Sequence, residues 1–413
     1  MNRIAMLSIH GYFDPQPVLG ATDTGGQVVY VLELAKGLAR QAGCKVDIFT
    51  RNFEGRLPEE PVNEDVRVVR IPCGPDKFIP KEELLPYLDE YVDNMEQYIR
   101  ENNLEYDIFH SHYWDAGYVA MKLTERMGYW FVHTSHSLGA WKQDRFKEVP
   151  GAEEMFRFTE RIEQEKKIFS KARGITCTTK NEKDNYKYYY DYESENMVII
   201  PPGVDVETFR PLKEGEEDLK LGLPEKYVLA LARIDHNKGF DLLVHAFSLL
   251  ARKYPDLYLL IGGGSSNPKQ PEIDLKNELI EIARSYDLED RVILSGYVPD
   301  EHMATFYRNA QVFVLSSRFE PFGMTVIEAM ACGTPVVVTS LGGITHFLTD
   351  DYDALFANPK DREELAKAID RILEDEEKSK SLVDNGLKTV YDKFTWDSIA
   401  MQHIDFFNKL ASQ

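Results

Sequence analysis

The chain is short of cysteine and of positive charge. Its four cysteines, Cys44, Cys73, Cys177 and Cys332, lie far apart in 413 residues, with no C-x-x-C pair. That spacing argues against a zinc knuckle or a dithiol redox motif. Each thiol stands in or beside an apolar run, as small buried side chains do. Lys and Arg number 48 against 69 Asp and Glu, for a formal net charge of −21. Nucleic-acid backbones are met by basic faces, so this surplus of acid excludes a general nucleic-acid binder. It leaves room for a small anionic ligand, which needs only a few well-placed cations. Long hydrophobic runs are missing as well. The apolar stretch at 4–9 is too short for a signal-peptide core, and no segment approaches the ~18 apolar residues of a membrane span. A cytoplasmic chain without a membrane partner is the expectation. The acidic run of Glu82, Glu83, Asp89, Glu90, Asp93 and Glu96 points the same way, because anionic membranes attract basic faces. No H-E-x-x-H, P-loop or G-x-S-x-G segment occurs.

What is present is ample apolar material, 43% of residues with 12% aromatic, enough for real cores. Short β-branched runs at 4–9, 46–50, 66–71, 107–110, 130–133 and 174–178 read as strands. Amphipathic stretches such as 27–41 and 82–101 lie between them, and strand–helix alternation means parallel βαβ units. Pro201-Pro202-Gly203 is a strong stop, and a charged stretch covers 213–220. A second strand series follows at 227–232, 257–261, 291–294, 312–316 and 335–338. The fold class predicted is α/β, with two Rossmann-like, doubly wound parallel-sheet domains facing a central cleft. Their bounds are 1–205 and 206–393, and a last helix at 394–413 returns to the first domain. Ligands of such sheets bind beyond the carboxyl ends of the strands.

Four constellations stand at predicted strand ends. Gly25-Gly26-Gln27 opens the first helix, where small residues let a ligand approach positively polarised amides. A tight turn needing positive φ would also account for the glycines. Arg233 and Lys238 flank the turn after the first strand of the second domain and can reach one diphosphate, Arg as a fork and Lys as a point charge. Glu320 and Glu328 bracket the turn Phe322-Gly323-Met324-Thr325. A carboxylate there suits a pair of sugar hydroxyls. Cations and aromatics then gather in the first domain: Lys77, His112, Tyr113, Trp114, Asp115, His136, Trp141, Lys142, Arg145, Arg157 and Arg161. Arg157 and Arg161 are spaced i,i+4, as on one helix face, and the group suggests a phosphorylated substrate. Asp351-Tyr352-Asp353 spells D-x-D but stands in a turn without histidines, so no metal site is assigned.

Glu320…Glu328 with seven residues between, Arg233…Lys238 and Gly25-Gly26-Gln27, in this order, resemble the retaining nucleotide-sugar glycosyltransferases of the sucrose-synthase-type family, family 4, with the GT-B fold. The likeness spans essentially the whole chain. The segments 23–27, 79–82, 111–117, 136–139, 200–203 and 319–325 resemble the sucrose-phosphate synthases, and still more the mannosylfructose-phosphate synthases. Enzymes that mannosylate glucosyl-3-phosphoglycerate are also similar.

The resemblance implies roles. Arg233 and Lys238 would bind the donor diphosphate and Glu328 the nucleotide ribose. Glu320, with the backbone of Phe322, Gly323, Met324 and Thr325, would hold the transferred sugar, and His136 would touch that sugar near its reacting face. Gly25, Gly26 and Gln27 would line donor and acceptor. Lys142 and Arg157, with Arg161, would take an acceptor phosphate, alongside Lys77, Tyr113, Trp114 and Asp115. The nucleotide sugar and the phosphorylated acceptor would be its small-molecule partners, and no metal cofactor would be required. The expected activity is hexose transfer to a phosphorylated acceptor, with mannose from GDP-mannose favoured. Glucose from UDP- or ADP-glucose is the alternative, and a non-catalytic sugar-nucleotide binder the remote one.

Overall fold

The structure is a computed structural model and describes residues 1–16, 26–265 and 267–413. Two compact units emerge: Met1–Pro202 with Trp396–Gln413, and Gly203–Thr395.

The first unit is built on β1 (Arg3–Leu7), β2 (Lys45–Asn52), β3 (Glu59–Pro61), β4 (Val66–Pro72), β5 (Ile108–His112), β6 (Phe131–Thr134), β7 (Gly174–Cys177) and β8 (Met197–Ile199). Among the described residues they form one sheet in the order β3-β4-β2-β1-β5-β6-β7-β8. All neighbours are parallel except the β3/β4 edge pair. Alternate residues of each strand face opposite sides, and both sides are covered. Ala5, Leu7, Phe109 and Phe131 pack with the helices Leu88–Glu101, Trp114–Met127 and Phe158–Lys171. Ile4, Met6, Ile108 and Val132 pack with Gly26–Ala42 and Trp396–Ala411. The last two helices touch closely: a Cβ on Gly37 would lie 2.8 Å from the Trp396 carbonyl oxygen.

The second unit carries β9 (Tyr227–Leu231), β10 (Tyr258–Gly262), β11 (Val292–Gly296), β12 (Val312–Leu315), β13 (Val336–Thr339) and β14 (Leu355–Ala357). The sheet is parallel, in the order β11-β10-β9-β12-β13-β14. In each unit the chain winds outward from one central strand and then crosses to its other side. The reversal falls between β1 and β5 in the first unit and between β9 and β12 in the second. Such switch points leave a crevice at the strand ends.

Three local expectations shift. The helix expected over 82–101 begins only at Leu88, after two 3₁₀ turns, Lys81–Glu83 and Leu85–Tyr87, because Pro86 has no amide proton to give. The edge strands β3 and β14 are three residues each, too short to show a period. Arg157 and Arg161 do not share a helix. Arg157 has φ 46° and ψ 48° and forms the left-handed corner between Ala152–Phe156 and Phe158–Lys171. Among the described residues no helix is long and apolar enough to cross a membrane.

Candidate active site

The loops at the β1/β5 switch point gather the first set of residues. Gly26 starts the 17-residue helix Gly26–Ala42. A Cβ there would meet nothing within 4 Å. Its bareness leaves open space beside the helix N-terminus. Gly25 lies outside the described residues. Gln27 donates through Nε2 to Ser8 Oγ at 3.1 Å, which fixes its amide over the end of β1.

Tyr113 and His136 follow β5 and β6 with φ of 78° and 56°. Positive φ costs a non-glycine residue on the order of 1–3 kcal/mol and persists where the surroundings enforce it. Tyr113 is held by its amide, which donates to Thr134 O at 2.9 Å. His136 Nε2 lies 3.0 Å from His112 Nδ1, and its ring meets Tyr30 edge-on at 5.0 Å. Burial, with His10 nearby, lowers the His136 pKa to about 3, so this imidazole is neutral near pH 7. It can accept or donate a hydrogen bond but carries no charge.

Asp115 corrects an expectation. It is fully buried. One oxygen lies 2.7 Å from His10 Nδ1 and the other accepts the Ala116 amide. Its carboxylate is spent on the protein, so it cannot also hold an acceptor. The side chain left at that place is His10, which lies three residues beyond β1, packs edge-on against Tyr113 at 4.7 Å and keeps 8% exposure. Sequence reasoning passed over His10 although it stands beyond a strand end, the same signal that found His112 and His136.

A small pocket brings together Tyr113, Trp114, Lys142, Arg157 and Arg161, and Glu82 and Glu160 line it as well. Lys142, on the helix Gly139–Phe146, has its ammonium 4.3 Å from the Phe156 ring centroid. Arg157 is half exposed and 3.5 Å from Glu160. Arg161 is buried. Its Nε donates to Glu165 at 2.8 Å, Nη1 to the Tyr113 hydroxyl at 2.7 Å, and Nη2 to Ser137 O. Glu165, also buried, accepts the Gly139 amide as well. One ion pair thus ties together the arginine, the loop after His136 and the start of the Lys142 helix. Lys77 is exposed on the loop after β4.

In the second unit the loops after β9 and β12 are stitched together. Asn237 Nδ2 donates to Phe319 O at 2.6 Å, Arg318 N to Asn237 O at 2.7 Å, and Ser316 Oγ to Lys238 O at 2.8 Å. Gly239 has φ 65°, and a Cβ on it would fall 2.1 Å from Ser316 O, so only glycine permits this approach. Lys238 Nζ donates to Glu320 Oε2 at 2.6 Å, and Ser317 Oγ reaches the same oxygen at 3.1 Å. Arg233 extends outward, 3.5 Å from Asp235, with its side chain 83% exposed.

Gly323, at φ 110°, caps the helix Met324–Ala331, whose first amides have no intrahelical acceptor. Met324 is exposed and Thr325 half-buried at that helix start. The Phe322 ring is buried against Phe347 and Phe394. It serves the core, and only its backbone borders the site. Glu328 accepts from the Tyr307 hydroxyl at 2.7 Å, and burial pushes its pKa up to about 7.

Asp351 and Asp353 are held by the protein, Asp351 by Arg371 and Lys378, Asp353 by Thr349 N and the Thr389 hydroxyl. Among the described residues no three His, Cys, Asp or Glu side chains converge as metal ligands.

The family model described as Glycosyltransferase Family 4 matches residues 24–208, and that described as Glycosyl transferases group 1 matches 213–389. The chain is 43% identical to mannosylfructose-phosphate synthase of Agrobacterium fabrum, over 97% of this chain and 90% of that protein. It is 32% identical to a probable sucrose-phosphate synthase of Thermosipho melanesiensis, over 98% and 96%. The solved sucrose-phosphate synthase of Thermosynechococcus elongatus superposes with a TM-score of 0.77 at 31% identity, covering 100% of both chains. Two doubly wound units with polar groups gathered at their switch points, and likeness along almost the whole sequence, agree on one assignment: the chain belongs to the GT-B glycosyltransferases of family 4.

Proposed function

We propose that the protein transfers a hexose from a nucleotide sugar to a phosphorylated acceptor, with mannose from GDP-mannose favoured. The acceptor class is a sugar phosphate or a phosphoglycerate-type molecule. The observation that carries this reading is the pocket of Lys142, Arg157 and Arg161 beside Tyr113 and Trp114. In a chain of net charge −21, a local cluster of cations marks a place for an anion. Arg161, already donating to the Tyr113 hydroxyl, would share those donors with a phosphate. The 43% identity to a mannosylfructose-phosphate synthase favours mannose and a phosphorylated product.

In the second unit, Arg233 and Lys238 suit the departing diphosphate and Glu328 the ribose. Glu320 and the amides at Gly323, Met324 and Thr325 suit the hexose. As the bond from C1 to the diphosphate oxygen breaks, negative charge grows on that oxygen. Fixed cations and helix-start amides stabilise it, so the chemistry as drawn calls on no metal. An acceptor hydroxyl forms the new bond to C1 and its proton passes to the departing diphosphate. Attack on the same face gives retention. Unchanged turnover in excess EDTA and a retained anomeric configuration by NMR are expected. A covalent glycosyl-enzyme trapped on a side chain would refute same-face attack.

Glucose from UDP- or ADP-glucose is the second reading, favoured by the likeness to sucrose-phosphate synthases. The deciding experiment pairs GDP-mannose and UDP-glucose with fructose-6-phosphate, glucosyl-3-phosphoglycerate and 3-phosphoglycerate and reads product mass. Transfer to fructose in preference to fructose-6-phosphate would remove the phosphate from the proposal.

A further inference from the structure

We propose that Tyr307 is a positioning residue for Glu328: its phenol fixes one carboxylate oxygen so that the other is presented to the ribose diol of the nucleotide. The inference rests on the reading of Glu328 as the ribose ligand and adds what holds that ligand in place.

Tyr307 lies on the helix Asp300–Arg308, ahead of β12, and Glu328 on the helix Met324–Ala331, after it. The tyrosine is fully buried, and its ring is wedged against Phe209 and Phe313, with centroids 5.9 and 5.5 Å away. Its hydroxyl donates to Glu328 Oε2 at 2.7 Å, and its carbonyl accepts from Thr334 Oγ1 at 2.7 Å. The Thr334 bond ties the end of the tyrosine's helix to the chain just beyond the glutamate's helix. The phenol therefore stands on a rigid support, and Glu328 Oε2 is committed to it. A long carboxylate held in one arrangement before the ligand arrives loses less freedom on binding.

The phenol also keeps Glu328 an acceptor. Burial raises this carboxyl to about 7, and the bond from Tyr307 works against that rise. The other titratable groups acting on it are Asp300, on the tyrosine's helix, and Cys332, at the end of its own. Neither carries positive charge. Without the phenol, Glu328 takes up a proton more readily and loses an acceptor for ribose hydroxyls.

The test uses the full-length protein as wild type, Tyr307→Phe and Glu328→Gln. Calorimetry measures the affinity for GDP, UDP and ADP and for their 2′,3′-dideoxy counterparts, from neutral to mildly alkaline pH. Wild type should prefer the ribose forms, and Glu328→Gln should erase that preference. Tyr307→Phe should cut it roughly tenfold, the size of one hydrogen bond to a charged group. The preference should recover partly as pH rises, and the acceptor KM should stay unchanged. Phenylalanine keeps the ring among Phe209 and Phe313, so a melting temperature near wild type is expected. Full ribose preference in Tyr307→Phe at every pH, with its loss in Glu328→Gln, overturns the positioning role alone. Full preference in Glu328→Gln overturns the ribose reading and this inference with it.

Discussion

Lys238 donates to Glu320 at 2.6 Å, and both side chains are only 13% exposed. The cation proposed for the diphosphate and the carboxylate proposed for the hexose thus hold each other in place. Arg233 has no such clamp. The two cations are therefore expected to separate in stability while agreeing in turnover. Lys238→Ala and Arg233→Ala should each lower kcat by roughly 10²–10³-fold, as lost transition-state donors do. Only Lys238→Ala should lower the melting temperature, because it leaves Glu320 without its ion partner. Wild-type kcat in both variants would remove the diphosphate role from this pair.

Two glycines of the sites should respond in opposite ways. Gly239→Ala places a Cβ against Ser316 O at positive φ, and denaturant titration should show a loss on the order of 3 kcal/mol. Gly26→Ala meets open space at the start of a long helix, so its stability should match wild type or slightly exceed it. Its kcat/KM should nevertheless fall, because the methyl group enters space kept clear for a ligand. Normal activity in Gly26→Ala would show that the bareness at 26 serves no ligand.

The central strands of both units were legible because parallel strands covered on both faces are nearly continuous apolar runs, as in Val336-Val337-Val338, while the short edge strands β3 and β14 were not. The ends of the central strands were legible with them, and so were the sequence neighbourhoods of Lys238, Glu320, Tyr113 and His136, whereas the order of strands that sets the switch points came only from the structure. Side-chain partnerships across the fold were not legible. His10 and Asp115 are 105 residues apart in sequence and 2.7 Å apart in space. Nothing in the local pattern says that this carboxylate faces inward. The i,i+4 spacing of Arg157 and Arg161 misled for a related reason. Arg157 is itself the left-handed residue that ends one helix before the next begins, and the sequence there, Met155-Phe156-Arg157-Phe158, carries no glycine to announce it.

Asp115→Asn is accordingly expected to act through His10. The carboxylate accepts from His10 Nδ1 and so fixes the tautomer and orientation of the ring. An amide there no longer fixes that tautomer. The acceptor KM should rise about tenfold while the donor KM stays near wild type. Equal loss for both substrates would mark Asp115 as a purely structural residue.

Lys142→Ala tests the phosphate pocket directly. It removes one cation beside Phe156 and leaves the Arg161–Glu165 pair intact. The KM for a phosphorylated acceptor should rise by about one to two orders of magnitude, as for a lost charge-assisted contact. The KM for the same acceptor without phosphate should barely change. Equal effects on both acceptors would place the phosphate elsewhere.

Five histidines whose pKa values are lowered set the acid limit of the fold. His110, His112, His133, His136 and His403 are all shifted down by burial, His133 and His136 to about 3 and His403 to about 4. In the unfolded chain each titrates near 6.5. Below that pH the unfolded state binds more protons than the folded one, so stability is fully present above it and falls as pH drops. Each group contributes about 1.4 kcal/mol per pH unit below the unfolded value. The melting temperature should be level near pH 7–8 and decline from roughly pH 6.5, before most carboxylates protonate. His403→Phe, which removes one of these groups from the helix Trp396–Ala411, should make the decline shallower by about one proton's worth. A melting temperature that holds level down to about pH 5 would falsify the claim that these imidazoles stay neutral in the folded protein.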